Sequence, residues 1–129
     1  MNMKNTILTT LLFVIFTLPS MAQEDKKLME VKPITRKVAG EIIMFDGDTL
    51  TGKIKVKSAQ QYYITSIWFD EKLDIREGLT AYNVKKFYQV VPFPFREEYG
   101  VDTVYYVSMI HPNSPNKKVF LRVKKEDYY

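Results

Sequence analysis

Two kinds of patterning divide the chain. Between Ile7 and Leu18 apolar residues dominate without alternation, whereas beyond Val38 apolar and polar residues trade places at every second position in short runs. A period of two is the imprint of a strand with one buried and one wet face. It is clearest where Leu50, Gly52, Ile54 and Val56 alternate with Thr51, Lys53, Lys55 and Lys57. Val38 to Phe45 precedes that run, with Asp46-Gly47-Asp48-Thr49 between them, and turn residues joining two β-rich runs predict a hairpin. A loop of two or four residues would set Ala39, Glu41, Ile43 and Phe45 beside Leu50, Ile54 and Val56; one of three or five would set Val38, Gly40, Ile42 and Met44 there. The second register is preferred because it keeps Glu41 off the buried face. Ile42-Ile43-Met44-Phe45 is apolar on both faces, as expected of a central or covered strand.

Further strands are predicted over Tyr62 to Phe69, Lys86 to Val91, Val101 to Ile110 and Lys118 to Lys124, all rich in aromatic and β-branched residues. The charged stretch Asp70 to Gly78 reads as a connection, and Thr80 to Lys86 as room for one short helical turn. Pro92-Phe93-Pro94-Phe95 cannot occupy a central strand, since proline has no ladder donor, so an exposed loop is expected from Pro92 to Gly100. His111-Pro112-Asn113-Ser114-Pro115-Asn116 is turn-rich and joins the last two strands. About six short antiparallel strands predict an all-β fold, a small barrel or sandwich.

The apolar run at the start has a different meaning. Lys4 is its only preceding charge, and Pro19, then Ser20-Met21-Ala22, follow it, which is the order of a cleavable signal peptide. As a helix it would reach roughly 18 Å at 1.5 Å per residue, against a hydrocarbon core of ~30 Å. Residues 1–22 are therefore expected to be removed, 23–37 to form a flexible arm, and 38–129 to form a single β domain. The expected address is the periplasm, the outer membrane's surroundings or the extracellular space, with no transmembrane span in the mature chain.

Composition narrows the chemistry. The 129 residues include no cysteine, which excludes disulfides, thiol catalysis, thiolate metal sites and lipid attachment through cysteine. The formal charge of +4 falls to +3 with the loss of Lys4, a mild excess that speaks to solubility more than to a partner.

Gly40, Ile42, Gly47-Asp48-Thr49-Leu50, Gly52 and Ile54 form a G-x-I, G-D-T-L, G-x-I pattern. It resembles the opening of an uncharacterised group of exported β-rich proteins of Bacteroidetes. Tyr82 to Phe87 is similar to that group's tyrosine-rich segment, and Val119-Phe120-Leu121 to its later strand, so the resemblance covers most of Val38 to Val123. Longer members continue past the point where this sequence stops at Tyr129. The resemblance implies an envelope location and a β-rich domain, and no activity.

Asp46 and Asp48 lack the further oxygen ligands and distal Glu of an EF-hand, so a turn explains them. His111 is the only histidine and has no nucleophile motif beside it. Asp70, Glu71 and Asp74, with Glu97 and Glu98, read as solvated loops rather than as a carboxylate pair. No catalytic residue, metal or cofactor is assigned. Lys53, Lys55 and Lys57 project from one strand face with Tyr62 and Tyr63 nearby, which suits a polyanion or membrane surface, or a wet face kept soluble by lysine. Phe93, Phe95 and Tyr99 in the proline loop are candidate contacts for an envelope protein. The expectation is a non-enzymatic envelope domain that binds or scaffolds another envelope component. Binding of an anionic glycan or lipid through the basic face is the alternative, a hydrolase the third reading, and nucleic acid is not expected. N-terminal sequencing of the exported protein is expected to begin Gln23-Glu24-Asp25; intact Met1 on protein kept inside the cell would refute the leader.

Overall fold

A computed structural model describes residues 28–129, so the leader and residues 23–27 of the arm lie outside the described residues. Seven strands follow one another: β1 (Val38–Met44), β2 (Thr49–Ala59), β3 (Ile64–Glu71), β4 (Asp74–Thr80), β5 (Val84–Val90), β6 (Thr103–His111) and β7 (Ser114–Val123). They form one antiparallel sheet in the order β2-β1-β5-β6-β7-β3-β4, and β2 also pairs with β3, so the sheet closes on itself. The result is an all-β barrel with β4 laid against the outer edge of β3.

The first hairpin takes the register that shelters Glu41. Val38 pairs with Ile54, Gly40 with Gly52 and Ile42 with Leu50, and Val38, Gly40, Ile42 and Met44 are the buried positions of β1. Met44 and Asp48 close its turn: the Met44 amide donates to Asp48 O at 2.8 Å, and the Gly47 amide to Met44 O at 3.1 Å. Gly47 has φ of +101°, the left-handed residue that a three-residue hairpin loop needs.

Gly40 and Gly52 have another purpose. A Cβ on Gly40 would lie 2.2 Å from Tyr88 O and 2.7 Å from Ile54 Cδ1, and one on Gly52 2.9 Å from Asp70 O. Backbone from the neighbouring strands occupies the space a side chain would need, which lets the sheet curl tightly enough to close.

Inside, Phe87 stacks on Tyr106 with ring centroids 4.8 Å apart and meets Phe120 edge-on at 4.9 Å. Ile42, Ile54, Ile64, Ile67 and Phe69 complete this core. Each such side chain, fully removed from water, stabilises the fold by roughly 1.5–3 kcal/mol. Gln89 is the one buried polar side chain of the core strands, and its Nε2 donates to Ile54 O at 3.1 Å.

Several expectations are corrected. The charged connection contains β4: Asp74–Thr80 pairs with β3 from Ser66 to Glu71. Its alternation is broken by Gly78, at φ of +67° where the register slips, and an edge strand buries little. The expected helical turn is a single hydrogen-bonded turn, with the Asn83 amide donating to Thr80 O at 3.0 Å before β5 begins. The proline loop is folded, as a 3₁₀ turn (Phe93–Phe95) running into α1 (Arg96–Tyr99). A second one-turn helix, α2 (Lys125–Tyr128), follows β7.

The described part of the arm is docked rather than frayed. Val31 and Ile34 are buried in the main core, the Val31 amide donates to Gln61 O at 2.8 Å, and the Val56 amide donates to Ile34 O at 2.9 Å. Two apolar residues three apart make no strand period; Ile34 pairs with β2 at Val56, beyond the start of β1, and Val31 pairs with Gln61 just past the end of β2.

The seam between β3 and β7 is thin: they share the single pair Ile64 and Phe120. Beside it, the Tyr82 hydroxyl accepts from the Lys118 amide at 3.0 Å and donates to Asn116 O at 3.2 Å, so a side chain satisfies β7 where no strand reaches it. Gly40→Ala is expected to cost at least about 3 kcal/mol, because backbone must move, while Gly47→Ala meets nothing but its strained φ and should cost about 1 kcal/mol. Urea denaturation of the two variants checks the difference.

Candidate ligand-binding surface

The alternation of β2 turns Ile54 and Val56 inward and Lys53, Lys55 and Lys57 outward. Lys53 stands opposite Asp70 and Lys55 opposite Trp68 of β3. A fourth ammonium arrives from outside the strands: Lys37 Nζ lies 4.4 Å from the Trp68 ring centroid and 2.9 Å from Asp70 Oδ2. Lys55 Nζ lies 4.9 Å from the same ring. Four lysines thus share the outer face with Asp70 and, on the β1 side, Glu41, and two of the lysines approach one indole.

These contacts hold the lysines loosely. The Lys37–Asp70 pair is partly in water, with side-chain exposures of 45% and 24%, and such a pair contributes about 0–1 kcal/mol. An exposed cation–π contact adds about 0.5–1 kcal/mol. An incoming anion can therefore draw either ammonium away without disturbing the barrel.

The other candidates lie elsewhere. Tyr62 is exposed before β3, while Tyr63 meets the His111 ring edge-on at 4.7 Å beneath Lys117 Nζ at 5.3 Å, apart from the lysine row. His111 Nδ1 accepts the Asn113 amide at 2.9 Å, and Asp46 Oδ1 accepts the Asp48 amide at 2.9 Å, so both serve turns. Asp74 Oδ1 accepts from Arg76 Nε at 3.1 Å. Among the described residues no three His, Asp or Glu side chains gather in a metal-binding group.

The proline loop divides in two. Phe95 packs against the core with Arg36 4.8 Å above its ring, and the Tyr99 hydroxyl donates to Lys32 O with Arg122 5.5 Å from its ring. Both side chains help seat the arm. Phe93, 81% exposed, is the one left facing solvent.

Trp68 and Lys37 were missed by the sequence reading. Trp68 alternates with inward Ile67 and Phe69, so its outward direction was legible; Lys37 belongs to no periodic run and gave no signal. A tyrosine cluster was missed as well. Tyr88 and Tyr105 pair across β5 and β6, and Tyr128 and Tyr129 pack on them. Lys86 Nζ sits 4.4 Å from the Tyr128 ring and donates to Tyr128 O at 2.7 Å, which fixes α2 to the barrel wall.

No family model, curated protein or solved structure matches the chain. The fold defines it as a closed antiparallel β-barrel with a basic, tryptophan-bearing outer face. Among the described residues no helix is long and apolar enough to cross a membrane.

Burial pushes the Tyr99 phenol up to about 12 from its ordinary 10.0; Glu98 adds to the rise and Arg122 opposes it. As pH climbs through that interval the unfolded chain loses its proton first. The contribution of Tyr99 to stability is therefore full below pH 10 and shrinks towards 12. Tyr99→Phe should cost about 1 kcal/mol at neutral pH through the lost hydrogen bond. That deficit should narrow in alkaline denaturation series above pH 10.

Proposed function

We propose that the protein is a non-enzymatic, exported domain of the cell envelope that binds another envelope component through the outer face of β2 and β3. The observation that carries the reading is the approach of the Lys37 and Lys55 ammonium groups to 4.4 and 4.9 Å from the Trp68 ring centroid, on the face that also presents Lys53 and Lys57. An outward aromatic ring on a strand, with Lys53 and Lys55 on the neighbouring strand and Lys37 just before β1, is a recognition surface for anions held in position largely by the sheet.

Export is supported by the leader-like order of residues 1–22 and by the resemblance to exported Bacteroidetes proteins. The absence of catalysis is supported by the engagement of His111, Asp46 and Asp74 in local turns and pairs. The proline loop is the weaker contact, because Phe95 and Tyr99 serve the barrel's own base and leave Phe93 alone.

Capture on envelope material tests this. The mature protein should be retained at low ionic strength and released as salt rises, since surface charges more than a Debye length of about 8–10 Å apart are screened. The triple variant Lys53→Glu, Lys55→Glu, Lys57→Glu should lose retention while unfolding at an unchanged temperature. Retention that survives both high salt and the triple variant would end the proposal.

A further inference from the structure

We infer that the bound component is a linear acidic glycan, lying along β2 with one sugar ring against Trp68. The inference rests on the basic face proposed above and adds the chemistry of what occupies it. Three features point the same way.

The face is the outside of a closed barrel, so it curves away from a ligand and cannot enclose a small molecule. Its charges run in a line. Lys53 and Lys55 recur at every second residue, roughly 7 Å apart at about 3.3 Å per residue, and Lys57 follows where β2 bulges against β3. An extended chain carrying an anion on each unit can meet successive lysines, whereas a single anion meets one.

The aromatic ring stands beside the middle of that line, since Trp68 pairs with Lys55. An indole face is electron-rich, and the axial C–H bonds of a pyranose are its complement. A hexuronate offers both partners in one unit: a ring to lie on the indole and a carboxylate to take the ammonium groups of Lys37 and Lys55. Those ammonium groups now rest on the ring through contacts that are weak in water, and the carboxylate can draw them aside.

A lipid leaflet is the rival occupant. Exposed Leu73 and Ile75 stand beside Asp70 on this side of the barrel, while exposed Met109 and Ile110 lie on β6, opposite β2 in the ring of strands. Exposed apolar side chains are thus spread around the barrel and single out no one side for a bilayer, whereas the pairing of ring and ammonium groups is found at Trp68.

Trp68 is the chain's only tryptophan, so its fluorescence reports on the site directly. The full mature chain is titrated with hexagalacturonate, with neutral maltohexaose, and with phosphatidylglycerol vesicles. A saturable fluorescence change is expected with hexagalacturonate alone. By calorimetry, Trp68→Leu and the double variant Lys37→Gln, Lys55→Gln should each weaken hexagalacturonate binding about tenfold or more, the equivalent of about 1.4 kcal/mol. The double variant touches only partly exposed side chains and keeps the test open should Trp68→Leu fail to fold. Absence of hexagalacturonate binding, equal response to maltohexaose, or affinity within about twofold of wild type in both variants would overturn the glycan. Vesicle binding that disappears in the Lys53→Glu, Lys55→Glu, Lys57→Glu variant, without oligosaccharide binding, would also overturn it while leaving the basic face standing. Binding of either probe unaffected by that triple variant would remove the basic face as well.

Discussion

Backbone meets backbone where β1 is pinched between β2 and β5. Gly40 and Gly52 face each other across the first hairpin, and each has a neighbouring strand's carbonyl oxygen where a Cβ would sit. Side chains at both points would press on that backbone and force the strands apart there. With the pinch in place, β2 reaches β3 on one side and β1 reaches β5 on the other. Closure encloses the stacked core of Phe87, Tyr106 and Phe120.

Closure leaves gaps, and aromatic side chains fill them. Tyr82 satisfies the free edge of β7 beside the single β3–β7 pair. Tyr99 and Phe95 hold the arm against the open end of the core, while Tyr128 fastens α2 to β5 and β6. Burial raises the phenol pKa values of Tyr106 and Tyr128 for the same reason that it makes them useful, since they sit where water is excluded. The nine tyrosines thus have a largely structural use: the hydroxyls of Tyr82 and Tyr99 serve backbone groups, while Tyr106 and Tyr128 contribute buried ring surface and their hydroxyls find no partner among the described residues.

The charge on the surface is arranged locally rather than globally. β5, β6 and β7 contain no carboxylate, whereas β1, β3 and β4 carry Glu41, Asp70, Glu71, Asp74 and Glu77. The lysine row of β2 therefore lies in the half of the barrel that also holds the acids. Its character comes from the geometry around Trp68, where Lys37 and Lys55 approach the ring and Asp70 pairs with Lys37, and not from the overall excess of positive charge.

What the sequence determined is whatever depends on neighbours along the chain. The period of two set the inward and outward sides of β2, and the penalty on burying Glu41 selected the hairpin register. Gly47 marked the turn, and the β-rich runs marked most of the strands. Elements held from elsewhere in the chain were not legible. β4 is an edge strand interrupted at Gly78, so it buries too little to show a period. Val31 and Ile34 gain their burial only from β2 and the far end of the barrel. Lys37 joined the candidate surface because it enters β1 next to β2 and its long side chain reaches across β2 to Trp68 and Asp70 of β3. Alternation records which way a side chain faces; closure of the sheet decides what it faces.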